Sequence, residues 1–382
     1  MSTFRFEVID KDGFSRRGLL KTPHGEVRTP VFMPVGTQAT VKTQSPDELM
    51  ALGVEIILGN TYHLYLRPGP DLIARAGGLH KFSGWPRSIL TDSGGYQVFS
   101  LKALNKITDQ GVEFQSHLDG SRHIFTPENV IEIQRKLGAD IMMPLDICSE
   151  YPMEHRQAVN DVNRTLSWAK RAKSKWVETG NDSDSPDNQI LFGIIQGSIY
   201  EDLRQNCLEK IVDIDFPGLA IGGLSVGEPR EDLIRILDFM APLLLDDKPR
   251  HLLGVGTPED ILDAVYYGID MFDCVMPTRN ARNGTIFTRR GKMTLKAAVY
   301  AEDFRPIDPQ CGCPACRGFT RAYIRHLLSL GEILGLRLTT AHNLFFYMQL
   351  MRDIREAIAK HRYREFRENT LKELSSGVEN LC

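Results

Sequence analysis

Short, almost continuous apolar runs alternate along the chain with longer amphipathic stretches. The runs lie at residues 31–34, 54–58, 88–91, 140–145, 190–195, 219–222, 251–255 and 271–275. Runs of this length read as strands buried on both faces, the mark of a parallel sheet covered by helices. Several helix starts are explicit. Ser45-Pro46-Asp47-Glu48 and Thr257-Pro258-Glu259-Asp260 place a hydroxyl at the N-cap, proline at N1 and a carboxylate at N3. Thr126-Pro127-Glu128 opens another. Eight strands with interleaved helices in about 250 residues predict an α/β chain built as a (β/α)8 TIM barrel, with a doubly wound open sheet as the alternative. Residues 102–125 read as a hairpin extension with Asp119-Gly120 at a turn, and residues 180–188 as a polar surface loop.

In such barrels the chemistry gathers where the strands end. Those ends carry Gly59-Asn60-Thr61, Asp92-Ser93-Gly94-Gly95, Asp146, Gln196-Gly197, Gly222-Gly223, Gly254-Val255-Gly256 and Asp273. One such aspartate alone is more often a turn or cap residue. Three on one rim with Gln196 point to a site, and the glycines let backbone approach a flat ligand. No histidine stands in this set and no His-Glu-x-x-His occurs, which argues against a barrel zinc hydrolase. Walker and dinucleotide fingerprints are missing too.

Hydrophobic residues make up 42% and charged residues 25%, which excludes a disordered, collagenous or coiled-coil chain. No apolar run reaches the roughly 18 residues of a membrane span, and the N-terminus lacks a leader pattern, so a cytoplasmic chain is expected. Seven cysteines in such a chain favour metal ligation or buried thiols over disulfides. Cys311-Gly-Cys313-Pro-Ala-Cys316 supplies three thiols, and tetrahedral zinc needs a fourth ligand. His342 opens a helical pattern over about 340–361 and is preferred to His326, because that helix can return its first turn to the cysteines. Four protein ligands leave no place for water, so one structural Zn2+ per subunit is predicted.

The net charge of −3 gives no hint of a partner, but its distribution does. Residues 274–301 hold six Lys or Arg (Arg279, Arg282, Arg289, Arg290, Lys292 and Lys296) and no Asp or Glu. A basic stripe on an acidic body fits an anionic partner at one place, against the plainer reading of a solvated face.

Asp92-Ser-Gly-Gly-Tyr-Gln-Val-Phe-Ser100, Phe272-Asp-Cys-Val-Met-Pro-Thr-Arg-Asn-Ala-Arg282 and the cysteine knuckle together closely resemble the bacterial tRNA-guanine transglycosylases. Gly59-Asn-Thr-Tyr-His-Leu64 and Phe192-Gly-Ile-Ile-Gln-Gly197 match that family as well, so the resemblance spans nearly the whole chain. It implies a barrel with an inserted zinc subdomain that exchanges the wobble guanine of G-U-N anticodon tRNAs (those for Asp, Asn, His and Tyr). The incoming base is a 7-deazaguanine, in bacteria 7-aminomethyl-7-deazaguanine on the way to queuosine. The resemblance also implies a homodimer. By the same carry-over Asp273 is the nucleophile and Asp92 the general acid/base. Asp146, Gln196, the Gly223 N–H and the Leu224 carbonyl read the base edge, and Tyr96 stacks on its face. Arg279 and Arg282 match residues that contact the anticodon loop, while Arg289 and Arg290, in an expected hairpin, meet phosphates.

Two positions depart from many bacterial members, which carry Met at Leu253 and Lys at Thr257. Val226 and Cys148 match the bacterial pattern and favour the aminomethyl precursor over queuine. A non-catalytic tRNA-binding partner subunit and a relative using queuine directly are the alternatives. The expected plan is a β extension at 1–30, the barrel at 31–278, a basic zinc subdomain at 279–345, and at 346–382 a C-terminal helix followed by a disordered tail, Leu374 to Cys382.

Overall fold

Eight parallel strands close on themselves: Val31–Gly36, Ile56–Gly59, Ser88–Thr91, Ile141–Met142, Ile190–Ile195, Gly218–Ile221, Arg250–Leu252 and Met271–Cys274. They follow one another around the barrel in chain order. The eighth pairs with the first, Met271 with Val31 through Cys274 with Pro34, so no edge is left and the open sheet is excluded. The computed structural model in which these elements are seen describes residues 4–100, 105–180 and 189–378. The predicted loop at 181–188 and the last four residues of the tail lie outside them.

The apolar runs look continuous because both strand faces are buried, yet they sort by a period of two. Val31, Met33, Val35, Ile56, Leu58, Leu90, Ile141, Met143, Ile190, Phe192, Ile194, Ala220 and Met271 fill the barrel interior. Their neighbours Phe32, Ile57, Ile89, Met142, Leu191, Ile195, Leu219, Ile221, Leu252 and Phe272 face the helices instead. Two strands fall short of prediction by two residues or more. The fourth leaves the ladder after Met142, just before Pro144, which has no N–H to donate. The seventh stops at Leu252, ahead of Gly254 at φ +72°.

An antiparallel sheet of Arg5–Asp12, Ser15–Thr22 and Gly25–Thr29 closes the bottom, sending Leu20 and Val27 into the barrel interior. Its anchor is an ion pair. Arg16 Nε donates to Asp270 Oδ1 at 2.9 Å, with both side chains essentially unexposed. Arg16 also donates to the carbonyls of Asp246 and Lys248, and Asp270 accepts from the Arg250 N–H at 2.7 Å. A second clasp joins His24 of this sheet and His80 to buried Asp140. The two imidazoles stack at 3.4 Å with 17° between planes. Near-parallel rings cannot both direct an in-plane lone pair at one ion; the tie is the His24 Nδ1–Asp140 Oδ1 hydrogen bond at 2.8 Å, with His80 Nε2 3.4 Å from Oδ2.

The expected helix starts are formed. Ser45, Thr126 and Thr257 cap the helices Pro46–Leu52, Pro127–Leu137 and Pro258–Tyr266, each accepting from the N3 backbone N–H. The excursion after the third strand is a three-stranded sheet, Asn105–Ile107, Val112–Gln115 and Arg122–Phe125. Helix Ile333–Ala359 starts earlier than the pattern predicted. Gly335 in its first turn hides that start in sequence, yet a Cβ there would lie 2.8 Å from Leu327 Cβ, so glycine permits the packing. The helix runs straight through position 345, joining the cysteine-rich lobe to the barrel wall. Leu374 and Ser375, read in sequence as tail, close a further helix, Tyr363–Ser375. Among the described residues no helix is long and apolar enough to cross a membrane.

Arg16→Ala or Asp270→Ala leaves a buried charge without its partner. Either is expected to lower the unfolding free energy by roughly 3–5 kcal/mol in urea titrations, the double variant by less than the sum.

Candidate active site

The inward positions that carry Leu58, Leu90, Ile194, Ala220 and Met271 continue, two residues on, as Asn60, Asp92, Gln196, Gly222 and Asp273. The same alternation that fills the core therefore delivers polar groups to its upper rim. Together with Tyr96, Asp146, Gly223, Leu224, Val226 and Leu253 they line a cleft of about 350 Å³. All seven residues predicted for catalysis and base contact stand on that lining.

Asp92 is held at both oxygens. Oδ1 accepts from the Thr61 N–H at 2.8 Å and the Gly94 N–H at 3.1 Å, and Oδ2 accepts from Asn60 Nδ2 at 2.6 Å. Gly94 must turn at φ +76° to present that N–H, and a Cβ there would lie 3.0 Å from the Tyr62 nitrogen. Burial, then the charge of Asp273, outweigh these donors and push the Asp92 carboxyl up to about 7. Asp273 is held at one oxygen. Its Oδ1 faces His251 Nε2 at 2.8 Å and the Gly254 N–H at 3.1 Å. Among the described residues nothing donates to Oδ2.

Across the cleft Gln196 Nε2 donates to Asp146 Oδ2 at 2.7 Å, and Ser93 Oγ approaches Oδ1 at 3.5 Å. Burial dominates and pushes the Asp146 carboxyl up to about 6. Tyr96, on the short helix Gly95–Ser100, is 60% exposed at the mouth, its ring open to a stacking partner. Thr257 is occupied as a helix cap.

Below the rim the cysteine lobe brings four groups together. Cys311, Cys313 and Cys316 Sγ lie 3.8, 3.4 and 3.3 Å from His342 Nδ1. These four could hold a metal ion. His342 Nε2 lies 2.9 Å from the Phe287 carbonyl, so Nε2 carries the proton and Nδ1 presents a lone pair to the thiols. Tetrahedral zinc with its usual bonds would set sulfur and nitrogen about 3.6 Å apart, which these spacings match. His326 is exposed and outside the cluster.

The basic stripe runs from the rim to this lobe. Arg279 is exposed on helix Met276–Arg282, and Arg282 Nη1 donates to the Thr278 carbonyl at 2.8 Å. Arg289 and Arg290 form the turn of the hairpin Thr285–Thr288 and Gly291–Thr294. Both touch other protein groups: Arg289 lies 3.7 Å from Asp308, and Arg290 Nη1 donates to Ser376 Oγ at 3.2 Å.

Sequence reasoning missed His251. It looked for histidine past the strand ends, whereas His251 sits inside the seventh strand and reaches the rim by side-chain length. The inward register of Leu253 was the signal that could have found it. It also passed over Arg204, buried beneath the cleft, whose position on the helix after the fifth barrel strand carries no local mark.

The queuine tRNA-ribosyltransferase family model matches residues 11–376. A queuine tRNA-ribosyltransferase of Caldanaerobacter subterraneus subsp. tengcongensis is 57% identical over 374 residues, 97% of this chain and 98% of that protein. Proteins of the same name from Desulforamulus reducens and Fusobacterium nucleatum are each 55% identical, covering 98% and 95% of this chain and 99% and 96% of their own lengths.

The electrostatics of the cleft can be read directly. The 13C carboxyl resonance of Asp92 is expected to titrate near pH 7, and its midpoint to fall in Asp273→Asn, because removing the neighbouring negative charge favours ionisation.

Proposed function

The chain belongs to the queuine tRNA-ribosyltransferase family, and from that membership we propose a full reaction for it. It is a pentosyltransferase, a tRNA-guanine transglycosylase of queuosine formation. We infer that it removes the wobble guanine of G-U-N tRNAs and installs 7-aminomethyl-7-deazaguanine in two displacements. The observation that carries this is the pair of carboxylates with opposite surroundings. Asp273 has one oxygen fixed by His251 and Gly254 and one left to attack the ribose anomeric carbon. Asp92, with its carboxyl near 7, can give a proton to the departing guanine and take one from the entering base. Bond formation to Asp273 balances loss of guanine; the second base reverses the step with retention at the anomeric carbon.

Asp146 accepts from the amine and ring N–H of the base, and Gln196 and the Gly223 N–H donate to its carbonyl. The Leu224 carbonyl accepts from the aminomethyl group, and Tyr96 covers one face. The base must leave its stack to enter the cleft. Cys148 and Val226 line the cleft and, by their match to the bacterial pattern, favour the aminomethyl base. Cys311, Cys313, Cys316 and His342 would hold one structural Zn2+, which would tie the cysteine knuckle to the long helix that the basic hairpin packs against. Arg279 and Arg282 meet the anticodon loop, and Arg289 and Arg290 meet phosphates. A homodimer is part of the reading, and Val299, Phe304, Leu330 and Ile333 of the cysteine lobe, 65–77% exposed, are apolar side chains a second copy could cover. With tRNA as substrate, the site of action is the cytoplasm.

The deciding experiment gives the protein labelled guanine and a G-U-N tRNA. Wild type is expected to incorporate label and Asp273→Ala none, with 7-aminomethyl-7-deazaguanine competing more strongly than queuine. A folded, zinc-loaded wild type that incorporates nothing would move the reading to a tRNA-binding partner subunit, and stronger competition by queuine would move it to direct queuine use. Arg289→Ala is expected to weaken tRNA binding and flatten its salt dependence by about one unit of slope, with anticodon preference unchanged, in filter binding across salt.

A further inference from the structure

Arg204, on helix Glu201–Ile214, is wholly buried beneath the cleft. Its Nε donates to the Ser198 carbonyl at 2.8 Å. Nη1 donates to the carbonyls of Ile195 at 3.1 Å and Gly222 at 2.7 Å, and Nη2 to that of Gly223 at 3.1 Å. Among the described residues no carboxylate forms an ion pair with it. Burial pushes the guanidinium down only to about 10, so it remains charged at neutral pH. A buried cation solvated by four neutral carbonyls is an expensive arrangement for packing alone, since an apolar side chain would fill the space without desolvation.

What the guanidinium grips matters for the other side of each peptide. The Gly222–Gly223 peptide is planar and trans, so its carbonyl and its N–H point in opposite directions. Holding the Gly222 oxygen at the back turns the Gly223 N–H toward the cleft. Gly223 and the Cys148 thiol share that cleft wall. The surroundings leave the loop little freedom. Gly223 sits at φ +66°, and a Cβ on it would lie 2.3 Å from Gln196 Oε1. A Cβ on Gly197 would lie 2.8 Å from the Arg204 backbone nitrogen, so glycine there lets the helix come this close.

We propose that Arg204 is a positioning residue of the base pocket. By gripping the Gly222 and Gly223 carbonyls it aims the Gly223 N–H at the carbonyl oxygen of a guanine-type base. Its charge also polarises the Gly222–Gly223 peptide and strengthens that N–H as a donor. The proposal rests on the base-exchange reading of the site, and the test separates the two.

Calorimetric titration with guanine and with 2-aminopurine, which lacks the carbonyl oxygen, is made on wild type, Arg204→Lys and Arg204→Met. Thermal melting and zinc content check that each variant folds. Lysine keeps the charge and can still reach one carbonyl, so Arg204→Lys decides the matter should Arg204→Met not fold. Guanine affinity is expected to fall about tenfold in Arg204→Lys and further in Arg204→Met, while 2-aminopurine affinity moves less than about twofold. Equal losses for both bases overturn the proposal, because a merely structural prop would weaken both alike. Unchanged guanine affinity overturns it as well. A wild type that binds the two bases equally overturns the base-reading role of Gly223 itself, and with it the proposal.

Discussion

Closure of the eight-stranded barrel is the constraint from which the rest follows. Pairing of Met271–Cys274 with Val31–Gly36 removes the last sheet edge and makes every strand lean inward on alternate residues. Up to the level of Leu58, Leu90, Ile194 and Met271 those inward positions are apolar and pack against one another. One step further they become Asn60, Asp92, Gln196 and Asp273. The polar rim is affordable only because the apolar layers beneath it are complete. The Arg16–Asp270 pair, at the opposite end, locks the sheet that seals those layers.

Within the cleft, desolvation and hydrogen bonding compete over each carboxylate, and the balance separates their roles. Asp92 accepts three hydrogen bonds that favour ionisation, yet burial and the nearby Asp273 charge prevail. Asp146 faces the same contest without a neighbouring negative charge and settles at about 6. The backbone is tuned as closely as the side chains. Gly94 and Gly223 take left-handed conformations to present N–H groups, and glycine is what lets them. The cleft is thus built from peptide planes as much as from side chains. The buried guanidinium of Arg204 and the side chain of Gln196 limit how those planes can turn.

The chain's second centre obeys a different logic. Cys311, Cys313 and Cys316 come from one tight knuckle, while His342 comes from a helix that continues down the barrel wall. A proton fixed on Nε2 by the Phe287 carbonyl leaves Nδ1 to complete the set. The basic hairpin lies between the two, its Phe287 carbonyl bonded to His342 and its Arg290 to the C-terminal helix end.

Local patterns were enough for part of this. Eight apolar runs, the proline-led caps at Ser45, Thr126 and Thr257, and the cysteine spacing each act within a few residues, so they are written in the sequence. The sequence by itself therefore determined the strand count, the helix starts, the rim aspartates and the thiol cluster. It could not determine where two-residue and three-residue strands stop, since that depends on when a neighbour's hydrogen bonds run out. Nor could it reveal that Leu374 and Ser375 are helical, because their docking partners lie far along the chain. His251 beside Asp273 and Arg204 behind Gly222 were likewise decided only by tertiary structure. Both are joined to their targets across strands and helices that meet only when the barrel closes, and no local rule carries that distance.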